Sequence, residues 1–306
     1  MFIEAEWISS DLTAVLTEKA VQGSVHSIFR EVLNIRLQDN RIVSVTASGI
    51  PHLPSAVKLG ADAPDDFCHI RTDIGNGVTV SKGRVDFEDG SLCIGTKKAK
   101  VWDAGLQFVK PSVSKETLTA NLERIKTLVL EQGNRDGLSS ILHTCSSNRL
   151  VRFVMPSIDR LAKAIRLQNR DLVSEAAVGL LGFGPGLTPS ADDFLLGIMA
   201  SLYYIGDYYD FDLSRTAAIA GALVRDLGGR TTLVSETMLK NGALGYFNQP
   251  LRALMQVLTS KEAVKDECLS VIGIGGCSGS DCLAGVVFGA RLTAGINEEK
   301  EAGECL

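Results

Sequence analysis

The stretch Val85-Asp86-Phe87-Glu88-Asp89-Gly90-Ser91-Leu92-Cys93-Ile94 alternates apolar and polar residues on both sides of Asp89-Gly90. A period of two puts Val85, Phe87, Leu92 and Ile94 on one face of a ribbon, and Asp-Gly is a preferred two-residue hairpin turn. The stretch therefore predicts two antiparallel strands. Upstream, Leu33, Ile35 and Leu37 alternate with polar residues up to Asp39-Asn40, and Ile42, Val43 and Val45 follow, which predicts a second hairpin. Beyond Pro111 the period changes to that of a helix. Leu118, Leu122, Ile125 and Val129 share one helical face, and Gly133 is placed to stop it. Further helices are expected from Pro156-Ser157 to about Asn169 and from Asp171 to Leu181, the latter ended by a left-handed Gly182. The reading is an α+β chain, with a mainly antiparallel β region over residues 1–112 and a mainly α-helical region over 113–306. No low-complexity linker separates them, so the boundary is soft.

Composition bounds the function. The 306 residues are 45% hydrophobic and 22% charged, which is globular and long enough for one large core or two modest ones. Net charge is −5, and Lys and Arg read as scattered along the chain, so neither nucleic acid nor anionic membrane is an expected partner. A small molecule or a protein fits better. The start, Met1 to Trp7, lacks a basic or apolar leader region and carries Glu4 and Glu6, which predicts a cytoplasmic chain. The longest apolar run, Phe194 to Ile205, falls short of the ~20 residues that a bilayer crossing needs. Seven cysteines without a C-x-x-C pair argue against a disulfide framework and a zinc knuckle, and the four histidines, all in the first half, show no metal-ligand spacing.

Two glycine-rich turns carry the chemistry. The first is Gly182-Phe183-Gly184-Pro185-Gly186-Leu187-Thr188-Pro189-Ser190-Ala191-Asp192-Asp193-Phe194-Leu195-Leu196-Gly197; the second is Gly273-Ile274-Gly275-Gly276-Cys277-Ser278-Gly279-Ser280-Asp281-Cys282-Leu283-Ala284-Gly285. Thr188-Pro189 predicts a helix start with Thr188 as the cap. Glycines before a helix let the backbone approach a ligand, and free amides at the positive dipole end suit an anion such as phosphate. Aligned on Ser190 and Ser278, both turns spell S-x-x-D-x-L-x-G, an internal repeat. Gly197 with Ser201, and Gly285 with Gly289, would allow the two following helices to cross closely, bringing both N-termini to one cavity.

Capping alone would explain Ser190, Asp193, Ser278 and Asp281, because S-x-x-D is a capping box. It does not explain Asp192 beside Asp193, since an adjacent acid pair suits a divalent cation such as Mg2+ or acid-base work. The candidate catalytic residues are Asp192, Asp193 and Asp281, with Asp192 and Asp193 as candidate metal ligands. Gly184, Gly186, Thr188, Ser190, Ser278 and Gly279 are candidate anion-binding residues. A third segment, Arg230-Thr231-Thr232-Leu233-Val234-Ser235-Glu236, offers Arg230, Thr231, Thr232 and Ser235 to the same anion, although a helix cap accounts for its hydroxyls more simply. Cys277 could be a thiolate at a helix N-terminus, and burial is the commoner fate. The turns are neither a Walker A loop nor a Rossmann fingerprint. Gly186 to Ala191 has a faint likeness to the phosphate loop of galactokinase-type small-molecule kinases, which keeps a stand-alone phosphotransferase in view.

Taken together, Gly182 to Gly197, Thr231 to Ser235 with Gly245-Tyr246-Phe247 and Pro250-Leu251, and Gly275 to Gly285 resemble the AllH family in order and spacing. That resemblance implies a subunit of oxamate carbamoyltransferase, working with FdrA-type and AllG-type subunits in anaerobic allantoin breakdown. The implied reaction converts carbamoyl phosphate and oxamate to oxalurate and phosphate. Its substrates are anions, as the turns suggest independently. Where the family can carry a histidine followed by Thr or Ser, this chain has Gly276-Cys277, and Ala191 stands where the family can carry Gly or His. A non-catalytic assembly or anion-binding subunit is the alternative from another class.

Overall fold

The alternating apolar residues of the first third close a sheet on itself. The computed structural model describes residues 1–17, 20–107, 113–143, 148–206, 212–260 and 263–296. The chain divides into two units, Met1–Gly105 with Tyr246–Gln249, and Leu106–Gly245 with Pro250–Leu306. The boundary expected at residue 112 lies outside the described residues.

The first unit contains β1 (Phe2–Ser9), α1 (Thr13–Thr17), β2 (Val21–Ile28), β3 (Val32–Leu37), β4 (Ile42–Thr46), β5 (Ala56–Leu59), β6 (Gly77–Ser81), β7 (Arg84–Phe87), β8 (Cys93–Gly95) and β9 (Lys100–Trp102). The sheet order is β5-β4-β3-β2-β6-β7-β8-β1-β9, and β5 also pairs with β1, so the strands form a barrel. Closure leaves few unpaired strand edges. Both expected hairpins are present, with Ile35 opposite Val43 and Val85 opposite Ile94. The barrel is not purely antiparallel, because β4–β5, β1–β8 and β1–β9 run parallel. Leu33, Ile35, Val45, Val57, Val80 and Ile94 are fully buried in its core, joined by Val15 and Leu16. The buried Asn34 is satisfied across the strands: it donates to the Ser27 hydroxyl at 3.0 Å and accepts from that of Ser44 at 2.8 Å.

The second unit is helical: α2 (Lys115–Gln132), α3 (Arg149–Arg166), α4 (Arg170–Val178), α5 (Ser190–Gly206), α6 (Leu213–Leu223), α7 (Leu233–Ala243), α8 (Gln249–Leu258, whose first residue belongs to the first unit), α9 (Lys265–Ile272) and α10 (Ser278–Ala294). A 3-10 turn covers Leu138–Leu142. Helix α2 follows its apolar stripe to Gly133 as expected. Helix α3 differs. It starts at Arg149, where Asn148 caps it by accepting the Leu150 N–H at 2.8 Å, and it runs through Pro156 instead of opening there. Val151, Val154, Ile158, Leu161 and Ile165 keep one buried face across the proline, and that burial outweighs a Pro cost of about 3 kcal/mol. Pro156 itself is exposed, so the carbonyl it leaves unpaired sits on the solvent side. Helix α4 stops at Val178, earlier than expected, and a short turn leads to Gly182, which does adopt a left-handed φ of 74°.

Every residue of α5 is buried, as a helix apolar all round requires. It crosses α10 backbone to backbone. A Cβ built on Gly197 would lie 2.0 Å from the Cys282 carbonyl oxygen, and one on Gly285 would lie 2.0 Å from that of Phe194. These contacts are reciprocal, since Phe194 and Cys282 occupy the same place in the repeat. The Ser201 hydroxyl donates to the Val286 carbonyl at 2.9 Å and ties the crossing further. Among the described residues, no helix is long and apolar enough to cross a membrane.

The crossing is open to a direct stability test. Gly197→Ala and Gly285→Ala are each expected to cost at least about 2 kcal/mol in urea denaturation, because the new methyl has only backbone to push against. Gly221→Ala, on α6 with nothing within 4 Å of the added carbon, is expected to stabilise by about 0.5–1 kcal/mol. Three substitutions of the same sign and size would contradict the crossing.

Candidate functional site

The crossing brings the two turns together at the N-termini of α5 and α10. Each loop leading in is closed by the amide of the second helical residue, over different lengths: the Ala191 N–H donates to the Phe183 carbonyl and the Gly279 N–H to the Ile274 carbonyl, both at 3.0 Å. The capping-box expectation is corrected here. The amides of Asp192 and Asp193 bond the Pro189 carbonyl, and the Asp281 amide bonds that of Cys277, so Ser190 and Ser278 stand one position inside their helices. A serine there cannot cap its own helix, and each serine faces the other turn. The Ser278 hydroxyl favours the ionised form of Asp193, and the Ser190 hydroxyl that of Asp281. Thr188 is likewise no simple cap, because its hydroxyl lies 2.8 Å from the Ser278 hydroxyl.

The acids divide into three environments. Asp192 is fully buried, accepting the Gly182 N–H at 2.8 Å on one oxygen and the hydroxyls of Thr231 and Ser235 (2.6 Å) on the other. It ties the first turn to the start of α7. Asp281 is also fully buried, and one of its oxygens accepts the Ser139 N–H at 2.8 Å. Its carboxylate packs on Gly137, where any Cβ would lie 2.1 Å from Oδ2. Asp193 is faced by the hydroxyls of Thr188 and Ser278, and its Oδ2, like the Oδ2 of Asp281, is buried without a hydrogen-bond partner among the described residues. Burial pushes its carboxyl well above the ordinary 3.8, and the nearby charges of Asp281 and Asp192 add to the rise. Burial raises Asp281 as well, opposed by Ser190 and by the Ser139 amide.

Asp192 and Asp193 therefore do not form a converging pair. Neighbouring residues on a helix project about 100° apart, and the donors around Asp192 occupy both its oxygens. Among the described residues, no three of His, Cys, Asp and Glu are placed to hold a metal ion. The third segment is structural where it touches the turn. Thr232 caps α7 by accepting the Ser235 N–H at 3.1 Å and donates to the Leu187 carbonyl. The Arg230 side chain donates to the Asp226 carbonyl at 2.9 Å, and it is the backbone carbonyl of Arg230 that lies against Gly182. Cys277 is half-buried, its sulfur 3.8 Å from the Ser190 hydroxyl, and burial raises its thiol, which disfavours a thiolate. Facing solvent are Pro185, Gly186 and Gly276, with Thr188 and Ser278 half-buried behind them.

Two parts of the site escape the sequence reading. One is the segment around Gly137, whose Asn134 N–H donates to Ser280 at 2.9 Å while Ser139 binds Asp281, sealing the second turn from behind. The other is Phe153 of α3, stacked on Phe183 of the first turn. Only Gly137 gave a local signal, and a lone Asp-Gly reads simply as a turn.

The asymmetry between the acids yields a pH test. A carboxyl whose folded pKa is raised binds its proton more tightly in the folded state, so its contribution to stability is greatest below the unfolded value and is lost as pH rises through the folded one. Asp193→Asn is expected to reduce the fall in stability as pH rises above about 4 and to be tolerated at neutral pH. Asp192→Asn is expected to cost about 1–3 kcal/mol at neutral pH, because an amide NH2 then meets a donor. Equal effects in thermal melts across pH would contradict the assignment.

Comparison with known proteins places the chain. Residues 4–101 match the model of the AllH family N-terminal domain, and residues 180–290 match the model described as oxamate carbamoyltransferase subunit AllH. No solved structure matches it. The second match spans both glycine turns, the α7 segment and the helix crossing, and the first spans the barrel strands from β1 into β9; the chain belongs to the AllH family.

Proposed function

We propose that this chain is a subunit of an oxamate carbamoyltransferase that works in the cytosol with FdrA-type and AllG-type subunits. The reaction converts carbamoyl phosphate and oxamate to oxalurate and phosphate. The paired turns hold an anionic substrate, with the open Gly186 allowing close backbone approach, Gly184 and Gly279 letting the turns pack on Ser190 and Val271, and the positive ends of α5 and α10 facing the charge. Thr188 and Ser278 supply hydroxyls at the mouth. Asp192, with Thr231, Thr232 and Ser235, positions the first turn, and Asp281 with Ser190 positions the second. The observation that carries the reading is Asp193, whose buried carboxyl is faced by those two hydroxyls and keeps an unpartnered oxygen among the described residues; Asp281 shares the unpartnered oxygen but also accepts the Ser139 amide.

The chemistry asks for that group. The oxamate nitrogen forms a bond to the carbamoyl carbon, the carbon-oxygen bond to phosphate breaks, and phosphate leaves with the electron pair. The attacking nitrogen must lose a proton, and a carboxylate made more basic by burial is a suitable acceptor. Amides at the helix ends stabilise charge on the carbamoyl oxygen and on the departing phosphate. The rival reading, a purely assembly subunit, draws on Asp192 and Asp281, whose contacts are with the protein's own donors.

Turnover of the reconstituted complex separates the two. Asp193→Asn is expected to lower kcat by about 10²–10⁴-fold while the complex forms and carbamoyl phosphate binds, measured with and without magnesium. Turnover within a few-fold of the parent would contradict an acid-base role.

A further inference from the structure

Helix α3 carries a surface that the site does not use. From Arg149 to Arg170 the chain has six basic residues (Arg149, Arg152, Arg160, Lys163, Arg166, Arg170) and a single acid, Asp159, in a protein whose net charge is −5. Five of these cations, Arg149, Arg152, Arg160, Lys163 and Arg166, share one exposed face of α3, about 27 Å long, and Arg170 opens α4. Among the described residues, none of the six takes part in an ion pair. On the same face Phe153 is 70% exposed. Its ring stacks parallel on that of Phe183, with centroids 4.9 Å apart and planes 6° from parallel. Phe183 belongs to the first glycine turn, and its carbonyl holds the Ala191 amide at the start of α5.

We propose that this face of α3 docks an acidic surface of another protein subunit, with Phe153 as the apolar anchor. The proposal rests on the subunit reading above and adds where the partner sits. Charge complementarity selects the partner: guanidinium groups without an ion-pair partner around one exposed aromatic are the composition of a protein interface centre. A membrane is a poorer fit, because the apolar stripe that would insert is already buried in the fold, at 0–5% exposure from Val151 to Ile165. Nucleic acid is a poorer fit because the rest of the chain is acidic. A subunit seated on Phe153 also abuts Phe183, so docking fixes the loop that leads into Asp193 and covers the mouth of the site.

The test uses the full chain and the purified FdrA-type and AllG-type subunits, with binding followed by calorimetry and size exclusion. Arg152→Glu with Arg160→Glu, and Phe153→Ala, are each expected to weaken the complex by about 30-fold or more, with unchanged melting of the isolated chain. Added salt is expected to weaken the parent complex and to matter less in the charge-reversed variant. Asp193→Asn is expected to bind like the parent. A complex indifferent to the α3 variants overturns this proposal and leaves the subunit reading standing, whereas no complex with the parent chain overturns both. Binding of a DNA duplex or of phosphatidylserine vesicles that the Arg variants abolish, or self-association that they abolish, assigns the face to another occupant and also overturns it.

Discussion

The reciprocal contact of Gly197 with Cys282 and of Gly285 with Phe194 is the constraint on which the helical unit depends. Two helices that touch backbone to backbone have their axes and N-termini fixed together, which side-chain packing at ordinary separations would not enforce as tightly. The apolar, fully buried α5 follows from being enclosed at this crossing. So does the meeting of Ser190, Asp193, Ser278 and Asp281, which are distant in sequence and come from two copies of one short pattern.

The repeat gives the site a near symmetry, and the surrounding elements break it. On the second turn, the Gly137 segment supplies an amide to Asp281 and leaves no room beside it. On the first turn, the donor from α7 goes to Asp192 and Asp193 is faced by hydroxyls, while Asp193 and Asp281 each keep one oxygen without a partner among the described residues. Desolvation without full compensation is a cost to stability, and such costs concentrate where chemistry needs a group of altered basicity. The stability of the turns therefore rests on Asp192 and Asp281, and the reactivity proposed for the site on Asp193.

The parts legible in the sequence are those written in local pattern. Period-two runs around Asp39-Asn40 and Asp89-Gly90 gave the hairpins, and the stripe from Leu118 to Val129 gave α2. Closure of the barrel through β5 and β1 was not legible, since pairing between distant strands leaves no local mark. The start of α3 was misplaced because Pro156 looks like a beginning when its position on the solvent face is unknown. Within the site, S-x-x-D spells a capping box and a cross-turn pair identically, and only the crossing decides between them. Adjacent Asp192 and Asp193 looked like one acid pair because sequence adjacency hides the turn of the helix between them.

The most direct test of the account is a double-mutant cycle between the turns, with Ser278→Ala, Asp193→Asn and the double variant compared in urea denaturation. Cross-turn pairing requires a coupling energy of about 0.5–3 kcal/mol between these two residues. Additivity within about 0.3 kcal/mol would mean that the serine of one turn does not reach the aspartate of the other, and would contradict the account at its centre.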